Sequence, residues 1–217
     1  MIMCAVIGMY HPEQVDMAVF RKLLNESMIR GKHATGIAWI ENDNIKTYVM
    51  PETAKDFTLP DIKTNTIIGH CRYSTSDLEY NQPVFSDKVA VAHNGVITQA
   101  DPETWEETYN LKFTTKCDSE IILRTWENQS HPLKLHGSMA TLLIDTRQKN
   151  ALHFFRNEQR PLYYATKDDT YCIASTKDIL IRTGITEYKK TEPCVDYSIV
   201  NNEMRKFLIR DVIEDLQ

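Results

Sequence analysis

Apolar positions along this chain follow two rhythms. The helical one is carried by Met17, Phe20, Leu24 and Met28, with Val19 and Leu23 beside them, and predicts an amphipathic helix over residues 13–28. Elsewhere the apolar residues come in short runs broken by polar turns. Ala5-Val6-Ile7 stops at Gly8 and reads as a buried strand. Ile37 to Ile40 and Ile45 to Val49 flank Glu41-Asn42-Asp43-Asn44, a hairpin with an Asx-rich turn. Thr66 to Gly69 and Val89 to Ala92 are two more strands, with a polar connector over 51–65.

The second half continues in hairpins. Met139 to Asp145 pairs with Leu152 to Arg156, Leu162 to Thr166 with Tyr171 to Ser175, and Tyr197 to Val200 with Met204 to Ile209. A short helix is predicted over Thr176 to Leu180, and another runs from Asp118, its N-cap, through Ile121, Ile122 and Trp126. Strands dominate and helices fall between groups of hairpins. The expectation is an α+β domain of antiparallel sheets covered by helices, spanning 1–217.

Composition narrows the function classes. With 217 residues, 42% of them hydrophobic, the chain supports a sizeable core. A net charge of −5 with scattered basic residues argues against nucleic acid or acidic lipid as partner. No segment has the ~18 apolar residues of a membrane span, and the first residues do not make a signal peptide. The five cysteines, Cys4, Cys71, Cys117, Cys172 and Cys194, form no CxxC pair, which argues against a zinc ribbon or thioredoxin-type motif. Reduced thiols in a cytoplasmic protein fit best, and no cofactor or metal is expected.

The candidate chemistry sits where strands run into polar clusters. Cys4 stands at the start of the first strand. If the residues before it are removed, its α-amine becomes a free base beside its thiol, a nucleophile with its own proton acceptor. On position alone, Cys4 reads more readily as one more small buried residue. Two later strands run into His70-Cys71-Arg72-Tyr73-Ser74-Thr75 and His93-Asn94-Gly95, suggesting two walls of one pocket. Each residue also has a plainer reading. Arg72 could be a structural ion pair, Asp118 a helix cap, and His70 and His93 satisfied histidines. Cys71 alternates away from Arg72 on a strand and reads as core.

Taken together and in order, Cys4, Arg30-Gly31…Gly36, Gly69 to Thr75, Gln82-Pro83, His93-Asn94-Gly95 and Asp118-Ser119-Glu120 resemble the class II glutamine amidotransferases. That family supplies the glutaminase domains of glucosamine-6-phosphate synthase and amidophosphoribosyltransferase. The resemblance covers nearly the whole chain. It implies an N-terminal-nucleophile hydrolase fold, a four-layer αββα sandwich. It implies that Cys4 attacks the side-chain amide of glutamine, forming a thioester and releasing ammonia. Asn94 and the Gly95 N–H would form the oxyanion hole. Arg72 would hold the α-carboxylate, Asp118 the α-ammonium, and Tyr73, Thr75 and Arg30 would line the same site.

Two positions depart from the family pattern: His33, where an acidic residue is common, and Ser76 after Thr75. Because the last hairpin ends at Ile209 and the chain at Gln217, just after the domain is complete, the expectation is a stand-alone glutaminase that supplies ammonia to a separate synthase or transferase. Residues 1–3 would be a removed leader. An N-terminal-cysteine hydrolase of another small amide, and a non-catalytic glutamine-binding or partner-docking module, are the competing readings.

Overall fold

A computed structural model describes residues 4–73 and 80–209. In chain order its elements are β1 (Ala5–Tyr10), α1 (Met17–Ser27), β2 (Ala34–Glu41), β3 (Asn44–Met50), β4 (Thr66–Arg72), β5 (Val84–Phe85), β6 (Val89–Val96), α2 (Trp105–Tyr109), α3 (Ser119–Glu127), β7 (Ser138–Asp145), β8 (Ala151–Arg156), β9 (Tyr163–Lys167), β10 (Thr170–Ala174), α4 (Lys177–Thr183), β11 (Lys189–Lys190), β12 (Val195–Val200) and β13 (Glu203–Leu208). They build two antiparallel sheets. The seven-stranded one has the order β11-β9-β10-β1-β4-β2-β3, and the six-stranded one β13-β12-β8-β7-β6-β5.

Alternation along the strands produces the layers. In β1, Ala5, Ile7 and Met9 face α1 and α4, where they meet Phe20, Leu23, Leu24, Ile179 and Leu180. The intervening Val6 and Tyr10 face the other sheet, packing with Ala90, Ala92, Leu142 and Phe154. On the far side of β6 and β7, Val89, Val91, Met139 and Leu143 pack with Ile121 and Ile122 of α3. Both faces of both central sheets are therefore covered, which is why these strands read as continuous apolar runs. The result is the expected αββα order of layers.

Some boundaries move. The first helix starts at Met17 rather than at residue 13, because His11 Nδ1 accepts the Glu13 and Gln14 amides and Asp16 then caps the helix by accepting from Ala18 and Val19. The polar loop after it ends sooner than expected, since Ala34, Thr35 and Gly36 pair with Arg72, Cys71 and His70 as part of β2. The 51–65 connector is not a surface strap alone, because Ala54, Phe57 and Ile62 are buried in the core beneath α1. Helix α2 and the turn at Pro102–Thr104 before it lie in a stretch with no helical rhythm.

Candidate active site

β1 and β4 run antiparallel with Ala5 opposite Cys71, so Cys4, just before β1, lies beside Arg72 at the end of β4. Cys4 has the parity of Val6, and Arg72 that of Ile68, both of which face the other sheet. From that other sheet, Asn94 has the parity of Ala90 and Ala92. All three side chains therefore belong to the gap between the sheets. Both strand ends meet there, since the His93 backbone is a hydrogen-bond partner of the buried His70 ring.

Cys4 is half-buried, with its Sγ 3.6 Å from the Tyr73 carbonyl oxygen. Burial pushes its thiol pKa up, and the charges of Arg72 and Arg30 pull it only part of the way back. The resting group is a thiol that needs a base. Arg30 donates from Nε to the Cys4 carbonyl at 2.9 Å, fixing the chain on which the thiol sits. Its Nη2 is buried, with no hydrogen-bond partner among the described residues. Gly31 lies so close to the end of β4 that a Cβ there would stand 2.2 Å from the Cys71 carbonyl oxygen.

Asn94 is 2% exposed, and its side-chain Nδ2 has no hydrogen-bond partner among the described residues. A buried amide N–H without a partner is costly, on the order of 1–3 kcal/mol. At the next position only glycine fits: a Cβ on Gly95 would lie 1.9 Å from the Ser138 carbonyl oxygen and 2.6 Å from His93 Nε2. His93 places both ring nitrogens on neighbours within the fold. Its Nε2 lies 3.1 Å from the Ser138 carbonyl, so Nε2 carries the proton and Nδ1 accepts from Ser119 Oγ at 3.0 Å. Burial lowers the His93 pKa and takes that of His70 to about 3, so both rings are neutral near pH 7. Cys71 is core, with its thiol pushed up to about 12 by burial.

Arg72 donates from Nη1 to the Tyr80 carbonyl at 2.5 Å and to Asn81 Oδ1 at 2.8 Å. Tyr73 packs its ring on His33, with centroids 4.9 Å apart, at the same strand end. Thr75, Ser74 and Ser76 lie outside the described residues. Asp118 corrects the expectation of a side-chain N-cap: it makes no capping bond to α3, and Oδ2 instead accepts the Ile97 amide at 2.7 Å, just past the end of β6. Two further residues gather here that sequence reasoning gave no role. Ser138 Oγ accepts from the Val96 amide and from Arg160 Nε, each at 3.1 Å. The Arg160 charge also acts on Arg30 and His93.

Two antiparallel sheets stacked between layers of helices are the fold of the N-terminal-nucleophile hydrolases. The fold is that of glutamine phosphoribosylpyrophosphate amidotransferase from B. subtilis, matched with a TM-score of 0.81 at 21% identity over 94% of this chain and 49% of that one. The family described as glutamine amidotransferase domain matches residues 70–182, and the chain belongs to that family. Among curated proteins it is 27% identical to glutamine–fructose-6-phosphate aminotransferase (isomerizing) of Staphylococcus aureus, over 96% of this chain and 37% of that protein. It is 29% identical to amidophosphoribosyltransferase of Pyrococcus horikoshii, over 88% and 46%. The chain thus spans less than half the length of these curated relatives.

Proposed function

We propose that this chain hydrolyses glutamine to glutamate and ammonia through a thioester on Cys4. The observation that carries the reading is the buried Nδ2 of Asn94, unpartnered among the described residues, on the strand facing Cys4. The Cys4 sulfur attacks the side-chain carbonyl carbon of glutamine, and its proton passes to the α-amine of a chain that begins at Cys4. The carbonyl oxygen becomes an oxyanion held by Asn94 Nδ2 and the Gly95 N–H, donors typically worth ~3–4 kcal/mol of barrier. Collapse breaks the C–N bond, the α-ammonium returns the proton to the leaving nitrogen, and ammonia departs. Water then attacks the thioester by the same route in reverse, releasing glutamate and the free thiol.

Recognition falls to the charged groups around the thiol. The Arg72 guanidinium, already oriented by Tyr80 and Asn81, holds the α-carboxylate. The Asp118 carboxylate, tethered by one oxygen to Ile97, holds the α-ammonium. Tyr73 and Arg30 complete the walls. The curated relatives named above are an aminotransferase and a phosphoribosyltransferase, which supports a further step in which the ammonia is passed to an acceptor-using synthase or transferase in the cytoplasm.

The test is ammonia release from glutamine and from a panel of other small amides. Cys4→Ala is expected to fold and to release none, and 6-diazo-5-oxonorleucine is expected to add to Cys4 alone. Labelling of Cys71 or Cys117, both raised well above the ordinary thiol range by burial, would sink the assignment. Turnover of another amide in preference to glutamine would favour an N-terminal-cysteine hydrolase of different specificity.

A further inference from the structure

Helix α3 carries an unusual acid in its first turn. Glu120 is 1% exposed and faces backwards, onto the loop that precedes its own helix. Its Oε1 accepts from the Thr114 amide at 3.0 Å, Thr114 Oγ1 at 2.9 Å, and Arg124 Nε and Nη2 at 3.0 and 2.7 Å. Its Oε2 accepts from the Thr114 amide at 3.0 Å, the Thr115 amide at 2.7 Å and Thr115 Oγ1 at 2.8 Å. Thr115 Oγ1 in turn accepts the Cys117 amide at 3.2 Å. The loop 114–118 is therefore a closed ring, locked at one end by a single carboxylate.

Asp118 is the last residue of that ring. Its backbone is already helical, with φ −61° and ψ −20°, so its side chain cannot turn back to cap α3 in the usual way. The orphan amides of the first turn find other acceptors: Glu120 N donates to the Cys117 carbonyl at 2.9 Å and Ile121 N to that of Asp118 at 3.1 Å. The Asp118 carboxylate is thereby released from the helix and accepts the Ile97 amide, just past the end of the strand that carries Asn94.

We propose that Glu120 is the positioning residue of the substrate-ammonium subsite, acting through Thr114 and Thr115 to hold Asp118 where it meets the α-ammonium of glutamine. This rests on the role given to Asp118 above. A carboxylate fits the ring because it faces only donors; an amide in its place would set an NH₂ against amide N–H groups. Glu120 touches neither the substrate nor Cys4 in this scheme. Its effect is therefore confined to the end of the substrate that Asp118 reads.

That confinement is what the experiment reads. Hydrolysis of glutamine is compared with that of glutaramate, the same amide without its α-amine, for the wild type, Asp118→Asn, Glu120→Gln and Thr115→Val. The wild type is expected to prefer glutamine, and Asp118→Asn to lose that preference. Glu120→Gln is expected to raise KM for glutamine about tenfold with kcat retained, while its kcat/KM for glutaramate stays at the wild-type value. Thr115→Val keeps the side-chain shape and is expected to show a smaller shift of the same kind, so it carries the test if Glu120→Gln does not fold. Equal losses on both substrates, or no loss on glutamine, would overturn the role of Glu120 while leaving that of Asp118 standing. A wild type indifferent to the α-amine would instead remove Asp118 from the subsite, and Glu120 with it.

Discussion

At the scale of single residues, the chemistry turns on what surrounds the Cys4 sulfur. Its pKa is raised by burial despite two guanidinium groups nearby, so the attacking thiolate is scarce without a base. Neither His70 nor His93 serves as that base, because burial takes the first to about 3, too weakly basic for a thiol proton, and the second spends both nitrogens on Ser119 and Ser138. An α-amine on Cys4 itself, with an ordinary pKa of about 7.7–8.0, matches the task. A peptide nitrogen is not basic, so molecules that still carry Met1 to Met3 are expected to be inactive or nearly so. Intact-mass spectrometry of protein fractionated by activity checks this: active molecules should begin at Cys4. Full activity in molecules that all retain Met1 would require a different base, with His33, stacked on Tyr73 at the same strand end, the first to test.

At the scale of elements, β8 and β12 hold a second polar cluster, remote from Cys4 in the sheet. His153 Nδ1 lies 2.9 Å from Asp196 Oδ2 and His131 Nε2 lies 3.5 Å from the same oxygen, with Trp126 packed on both rings. Burial would raise the Asp196 pKa, yet the adjoining imidazoles and their hydrogen bonds hold it down at about 2. The folded pKa lies below the unfolded value of about 3.9, so the ionised carboxylate contributes stability that is complete above that value. The contribution is lost as pH falls from there through 2. It is on the order of 2 kcal/mol, about one and a half to two pKa units at 1.36 kcal/mol each. Asp196→Asn is expected to lower the thermal midpoint at neutral pH and to lessen the loss of stability between about pH 4 and 2. Identical acid limbs for the variant and the wild type in a pH series of melts would contradict this.

At the scale of the molecule, the two sheets are tied together at the candidate site by the segment that passes from one to the other. Tyr80 and Asn81 receive Arg72 from the seven-stranded sheet, and Gln82 Oε1 accepts the His93 amide of the six-stranded one at 2.6 Å. That segment lies directly on β2. A Cβ on Gly36 would stand 2.0 Å from the Gln82 carbonyl oxygen, a backbone atom that cannot yield without moving the crossing. Gly8, in the middle of the sheet–sheet interface, would place a Cβ 2.4 Å from Leu142 Cδ2, the movable end of a side chain. Gly36→Ala is therefore expected to cost both stability and glutaminase activity, by ~1–3 kcal/mol in unfolding free energy. Gly8→Ala should cost less and leave activity largely intact. Denaturant melts with parallel activity assays compare the two. A Gly36→Ala protein as active and stable as the wild type would mean that the crossing does not set the site.

The alternation of apolar and polar residues determined most of the strands, because a buried face repeats every second residue and short apolar runs have few other uses. The expectation that Cys4, Arg72 and Asn94 belong together came instead from the order of motifs and its resemblance to the class II glutamine amidotransferases. Tertiary structure decided what those residues do with their hydrogen bonds. Asp118 reads as a helix cap until Ile97, 21 positions earlier, takes its carboxylate. Glu120 reads as an ordinary first-turn acid until the loop before it folds back onto it. The trio of His131, His153 and Asp196 leaves no local trace, because its members come from a turn and two strands that meet only in the folded sheet. Hydrophobic periodicity is a property of neighbours in the chain, and so the sequence carries it. The partner of a polar group is chosen among atoms that folding brings together, and burial then makes that choice binding, since a polar group left unpaired away from water costs more than most single contacts return.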